Sequence, residues 1–156
     1  MLDDVPPWDM IEKIEAMGKE GFMGKEMKSD LELTGQNRQL TIESGCDLFG
    51  VASPELLAAA PPGFRPQDIL PECRAVIVVG KRLSDATVET TPSRMFDTMY
   101  FATNSFLDQL LLKITDLLVR EKCKAVAIGP HSLDGRRSMG DISQKHAAVA
   151  AGLGRF

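Results

Sequence analysis

The sequence has few cysteines, and no two of them lie close together. Cys46, Cys73 and Cys123 are the three cysteines in 156 residues, and none belongs to a Cys-x-x-Cys motif. A zinc ribbon or a ferredoxin-type cluster is built from such local ligand pairs. We therefore expect no iron–sulfur cluster in this chain. An odd cysteine count without a secretion signal is typical of reduced, mostly buried thiols.

Long apolar runs and an excess of basic residues are also missing. The longest apolar runs, such as Ala75–Val79 and Leu110–Leu112, are far too short to span a bilayer. The acidic start, residues 1–4, does not have the layout of a signal peptide, which predicts a cytoplasmic protein. A net charge of -4 argues against broad non-specific nucleic-acid binding, because such binding depends on a basic surface.

What is present is the composition of one globular domain, with 44% hydrophobic and 26% charged residues. Trp8, Ile11 and Ile14 follow a three-residue spacing that predicts a short amphipathic helix, and a glycine-rich, charged connector comes after it. We therefore divide the chain into residues 1–28, the helix and connector, and residues 29–156, an α/β domain.

Periodicity predicts the helices of that domain. A helix is expected from Leu33 to Ser44, with Gly45 as its left-handed stop. A long amphipathic helix is expected over 96–119, beginning near Pro92 or Ser93, and its apolar stripe places Leu110 in the core and Lys113 in water. A short helical turn should follow Pro54, and a final helix should begin near Asp141 or Ser143.

Three segments are predicted to be strands. Cys46–Ala52 is one, and Ala75–Val79 is a β-branched run typical of a central strand covered on both faces. Ala125–Ile128 is expected to be a short buried strand. Extended loop is expected around Pro61–Pro66, where prolines fix the backbone, and loop over residues 131–139. The alternation predicts a single layered α/β (α+β) domain, with helices packed on a small mixed sheet.

Several ordered motifs resemble a known family. The tail Lys145-His146-Ala147-Ala148-Val149, closed by Gly152-Leu153-Gly154, is similar to a stretch found in iron–sulfur proteins related to epoxyqueuosine reductase. The resemblance covers about Leu40 to Phe156. It also rests on the segments Gly45–Ala52 and Pro62–Pro71 and on the long-helix residues Tyr100, Asn104, Leu107 and Asp108.

This resemblance implies a nitroreductase-like fold and a reductase-derived, cofactor-binding domain with a pocket for a corrinoid or a flavin such as FMN. Members that reduce epoxyqueuosine in tRNA use a corrinoid and two [4Fe–4S] clusters, but the cysteine-rich half that holds the clusters does not follow here. Counting back from Gly152, Ser138 stands where those members have their proposed proton-donor aspartate. That role is therefore not transferred, and the alternative is a non-catalytic dimerising module or truncated remnant.

Two groups of residues are candidates for binding the cofactor. The first surrounds the start of the final helix, where free N–H groups and cationic side chains favour a phosphate; its members are Arg137, Ser138, Asp141, Ser143, Lys145 and His146. The second is the pair Tyr100 and Asn104, one helical turn apart and able to project into a pocket.

Structural roles stay open for both groups. Asp141 and Ser143 can simply cap the helix, and Tyr100 can belong to the core with its hydroxyl at the rim. Two histidines fifteen residues apart with scattered carboxylates do not form a metal-ligand pattern. Gly152-Leu153-Gly154 is either a close-approach turn against a cofactor or partner, or a simple helix stop.

The chain is also expected to form a homodimer. Without the family's second half, residues 147–151 and part of the long helix should be exposed, and a large apolar patch usually marks an interface. A two-fold dimer is the commonest way to bury such a patch. The N-terminal helix, with Trp8, Ile11 and Ile14, is the element expected to reach across to the partner.

Overall fold

A computed structural model describes residues 29–130, 133–134 and 139–155, and the predicted helix and connector in residues 1–28 lie outside this part. The five helices that it contains are α1 (Asp30–Glu43), α2 (Pro66–Ile69), α3 (Asp85–Glu89), α4 (Arg94–Arg120) and α5 (Gln144–Ala150). The strands are β1 (Leu48–Ala52), β2 (Val76–Gly80), β3 (Leu133–Asp134) and β4 (Met139–Gly140), and Pro54–Leu57 is a 3₁₀ turn.

The main sheet has two antiparallel strands, with β1 paired to β2 in a register that runs from Leu48 opposite Gly80 to Ala52 opposite Val76. The chain is thus a small mixed α/β domain, as predicted, but its sheet is not mixed. The prediction that β2 is a central strand is wrong, since β2 is an edge strand among the described residues. All five of its residues are half-buried, so both faces of the strand are partly covered.

Three other strand and loop predictions are also wrong. Residues 125–128 pair with no strand in the described part of the chain, and Val126 is 54% exposed. Residues 131–139, expected to be loop, include β3 and the first residue of β4, and these two strands pair with each other in a separate sheet. Pro66 begins α2 instead of continuing an extended loop, because proline suits the first helical position and Asp68 accepts from the N–H groups of Gly63 and Arg65.

The helix α1 confirms the first helical prediction. Ser29 caps it through a hydrogen bond from the N–H of Glu32, whose carboxylate accepts in return from the Ser29 N–H. Three residues on one side, Leu33, Asn37 and Thr41, are buried. The Asn37 amide and the Thr41 hydroxyl donate to carbonyl groups one turn earlier, which makes their burial tolerable.

The long helix α4 organises the core, as its periodicity predicts. Ser93 caps it by accepting from the N–H of Phe96 at 3.1 Å. Leu110 and Ile114 form the buried core with Cys46, while Lys113 is exposed. No helix among the described residues is both long enough and apolar enough to cross a membrane.

Three helices end in the same hydrogen-bonded turn, the Schellman motif, with a left-handed residue just past the helix. That residue is Gly45 after α1, Gly152 after α5, and Lys122 after α4, with φ of 91°, 73° and 64°. The two glycines confirm the predicted stops. Lys122 adopts a left-handed backbone conformation, which is unfavourable for residues that carry a β-carbon.

Replacing Lys122 with glycine should therefore raise the free energy of unfolding by about 1 kcal/mol, because glycine adopts this conformation without a steric cost. Thermal denaturation should show an increase of about 2–4 °C in the melting temperature. Lys122→Ala is the matched control, since it removes the same side chain without relieving the backbone. An equal gain in both variants would show that the side chain, and not the backbone, is responsible.

Candidate functional site

The segment 124–128 follows α4 in the chain, and its residues and those of β2 line one cavity. Lys124 Nζ, at the start of the segment, lies 2.5 Å from the carboxylate of Glu72, which precedes β2. Gly129 follows the segment directly.

Side chains from α4 and α5 converge at Gly129. Asp108 on α4 lies so close that its Oδ1 would be 2.5 Å from a β-carbon built on Gly129, so a larger residue there would require the Asp108 side chain to move. Gln144, the first residue of α5, donates from Nε2 to the Gly129 carbonyl at 3.1 Å. We call these residues, together with Asn104 one helical turn before Asp108, the crevice.

Asn104 is the unusual member of the crevice. It is 6% exposed, and its amide nitrogen, Nδ2, has no hydrogen-bond partner among the residues that the structure describes. Buried donors are nearly always paired, and an unpaired one costs about 1–3 kcal/mol. Asn104 is thus a buried donor that is available to a carbonyl or another acceptor from outside the chain.

Tyr100, one turn before Asn104, lies on the surface. Its side chain is 40% exposed, its ring stacks on Phe96 with centroids 5.9 Å apart, and Phe101 meets it edge-on. Of the predicted pair, Asn104 is therefore buried and Tyr100 lies at the surface. The three rings form an apolar aromatic surface at the start of α4.

The remaining predicted residues lie around the start of α5. Ser143 occupies the capping position, but its hydroxyl contacts His146 Nδ1 at 2.6 Å and accepts no backbone N–H of the helix. Asp141, Lys145 and His146 are exposed. The predicted Arg137 and Ser138 lie outside the described residues.

A cavity of about 330 Å³ is lined by β2 and the segment 124–128. Its lining also includes Leu111 and Leu118 of α4, Ile69 of α2 and Ala148 of α5. The lining is almost wholly apolar and includes Gln144 but none of the predicted site residues. The sequence did not predict this cavity, because the β-branched run 75–79 and the apolar run 125–128 were both interpreted as paired strands.

Burial affects two of the three cysteine thiols. Burial raises the pKa of Cys46, whose thiol donates to the Gly80 carbonyl at 3.1 Å, and burial also raises the pKa of Cys73. Cys46 is buried, whereas Cys73 and Cys123 are half-buried. Among the described residues, no three His, Cys, Asp or Glu side chains are grouped to hold a metal ion.

No protein-family model, curated protein or solved structure matches this chain. The function is therefore inferred from the geometry of the crevice and its surroundings. Asn104 offers a buried donor without a described partner, aromatic rings lie at the start of α4, and the exposed start of α5 carries Lys145. Small-molecule sites combine these same elements, a few placed polar groups and an apolar surface.

Proposed function

We propose that this chain is the cofactor-binding domain of a reductase, with a nitroreductase-like fold related to the epoxyqueuosine reductase-like family, and that it holds a flavin or a corrinoid at the crevice. The observation that carries the proposal is the buried Nδ2 of Asn104 on α4, which has no hydrogen-bond partner among the described residues. Both cofactor classes present carbonyl oxygens that such a donor recognises.

The surroundings of Asn104 match the other parts of these cofactors. The stacked rings of Phe96 and Tyr100 provide an apolar surface one turn away, against which a flat ring system packs. Lys145 follows Gln144 at the start of α5 and supplies a cationic group for a phosphate, and the exposed His146 comes next in the chain. When bound, either cofactor supplies the electron-transfer chemistry, and these residues orient it.

The proposal is tested by incubating the purified protein with FMN and, separately, with cobalamin, and by recording absorption spectra after desalting. Retention of one chromophore at about one per chain is expected, and its identity decides between the two cofactors. Loss of both chromophores on desalting, with no shift of the melting temperature at saturating cofactor, would contradict the proposal.

A matched pair of variants ties binding to the crevice. Asn104→Leu should weaken cofactor binding by about tenfold or more, because a buried hydrogen bond is lost, while the stability of the cofactor-free protein is kept. Asn37→Leu is the control, since Asn37 is also buried with one unpaired amide atom but lies on α1. Equal affinity in both variants would place the cofactor elsewhere.

A homodimerising module is the second candidate function. The start of α4 exposes Met95, Met99, Tyr100 and Phe101, which are 60%, 45%, 40% and 59% exposed. An apolar cluster of this kind favours an interface. The other predicted contact surface is not available, because α5 packs on β1 and β2 and Ala147 is only 3% exposed. The predicted contribution of Trp8, Ile11 and Ile14 lies outside the described residues.

Light scattering on the intact chain and on a chain without residues 1–28 tests this second function. A dimer that becomes a monomer after Phe101→Glu would place the interface on the start of α4. Loss of the dimer on truncation alone would instead assign it to the N-terminal segment. A monomer in every sample would remove dimerisation from consideration.

A further inference from the structure

We call the apolar cavity that is lined by β2 and the segment 124–128 the slot. Its lining resembles the surroundings of an interior β-strand. Residues of α4, α2 and α5 contribute to its lining. Two further stretches, Ala75–Val79 and Lys124–Ile128, which we call the two walls, contribute consecutive residues to the lining. Consecutive residues line a space when a strand meets it with its edge, because the side chains of a strand alternate between its two faces.

Both edges that face the slot carry unpaired backbone groups. β2 pairs with β1 on one side only, so every second residue turns its N–H and C=O groups toward the slot. Within the described ranges, residues 124–128 make no backbone hydrogen bond with β2 or any other element. Partly buried backbone groups of this kind normally have partners.

The sequences of the two walls are those of interior strands. Val76-Ile77-Val78-Val79 is a continuous β-branched run, and Ala125-Val126-Ala127-Ile128 is continuously apolar, as in strands flanked on both edges and covered on both faces. Natural edge strands instead carry charges, prolines or bulges that discourage further pairing. Residues 76–79 and 125–128 contain none of these features.

From this geometry we infer that the slot binds an extended β-strand of a partner polypeptide, apolar on both faces, which hydrogen-bonds to β2 on one edge and to residues 124–128 on the other. Only a peptide backbone offers donors and acceptors along two opposite edges, which a lipid chain or an aromatic ring does not. The sequence of residues 1–28 contains no β-branched run like those of the two walls. The inference is independent of the cofactor proposed at the crevice.

Peptide binding tests the inference directly. A fluorescently labelled peptide, Lys-Lys-Val-Ile-Val-Val-Thr-Val-Lys-Lys, should bind the full chain saturably in an anisotropy titration. The matched control has the same side chains with N-methyl groups on alternate residues, which block hydrogen bonding along one edge, and it should bind at least about tenfold more weakly. Equal binding of both peptides, or binding of neither, would overturn the inference.

Amide hydrogen exchange locates the bound peptide. In the chain alone, the amides of residues 125–128 should exchange far faster than those paired between β1 and β2. The peptide should slow exchange at residues 125–128 and along the free edge of β2 by about tenfold or more. Protection of residues 125–128 before peptide is added would show that the slot is already closed and would overturn the inference.

A blocked variant provides the last check. Thr115 on α4 lines the slot, so Thr115→Trp should fill it and abolish peptide binding. Thr98→Trp, on the same helix but outside the lining and exposed, should bind the peptide normally. Circular dichroism confirms that both variants are folded. Unchanged binding to a folded Thr115→Trp protein would place the peptide elsewhere and refute the slot.

Discussion

Replacing Leu110 with alanine is expected to lower the free energy of unfolding by about 3 kcal/mol, within the roughly 2–5 kcal/mol found for such truncations. Leu110 is 1% exposed and belongs to the core cluster with Cys46 and Ile114, where α1, the sheet and α4 meet. Removing its side chain loses buried apolar contacts and leaves a cavity that the rigid long helix cannot easily collapse. Urea denaturation followed by circular dichroism measures the loss.

Leu112→Ala is the natural control, because Leu112 lies on the same helix two residues later and is 61% exposed. Its helix propensity changes in the same way, but little buried area is lost, so the expected change is within about 0.5 kcal/mol. Similar losses in the two variants would mean that the face of α4 identified as the core is not the buried one.

The second large effect is expected at Gly50 in β1. A β-carbon there would lie 2.7 Å from the backbone carbonyl oxygen of Ala151 and 3.0 Å from Leu153 Cδ2. Since a backbone carbonyl cannot move away cheaply, Gly50→Ala should force the end of α5 off the sheet and cost about 2 kcal/mol. Thermal and urea denaturation both report this loss.

Gly35→Ala is the matched control and should act in the opposite direction. Gly35 lies within α1, and a β-carbon there meets no atom within 4 Å. Alanine should therefore stabilise the protein by about 1 kcal/mol through its higher helix propensity. A gain at both glycines would show that α5 does not pack closely on β1.

The Gly50 contact also explains the Gly-Leu-Gly motif. Gly152 supplies the left-handed helix stop, as one prediction has it, while Leu153 packs onto the sheet at Gly50. The close approach considered from sequence does not occur at the glycines of this motif, since a β-carbon built on Gly152 or Gly154 meets no atom within 4 Å; the glycine that lies in close contact is Gly50 of β1. Spacing alone could not reveal this, because the partner lies about a hundred residues away in sequence.

Helices were more predictable than strands for a physical reason. Caps and left-handed stops are local, so Ser29, Gly45 and Ser93 mark the ends of helices wherever those helices pack. A strand exists only when another strand pairs with it, and residues 125–128 have strand-like side chains without a described partner. Short helix α3 was missed because five residues carry too little periodicity.

The candidate site was predictable only in part for a similar reason. The sequence identifies Asn104 as one of a pair on α4, but its burial and unpaired amide depend on packing. The approach of Asp108 and Gln144 to Gly129 joins residues from three separate parts of the chain. No local pattern encodes that convergence.

The accessibility of the Cys46 thiol to a labelling reagent should report the opening of the domain. Its N–H closes the turn after α1, its thiol donates to the last residue of β2, and its side chain lies against α4. A reagent therefore reaches this sulfur only when these three elements separate together, whereas the half-buried Cys73 and Cys123 are modified in the folded state. The slow phase of thiol labelling thus measures cooperative opening of the whole domain.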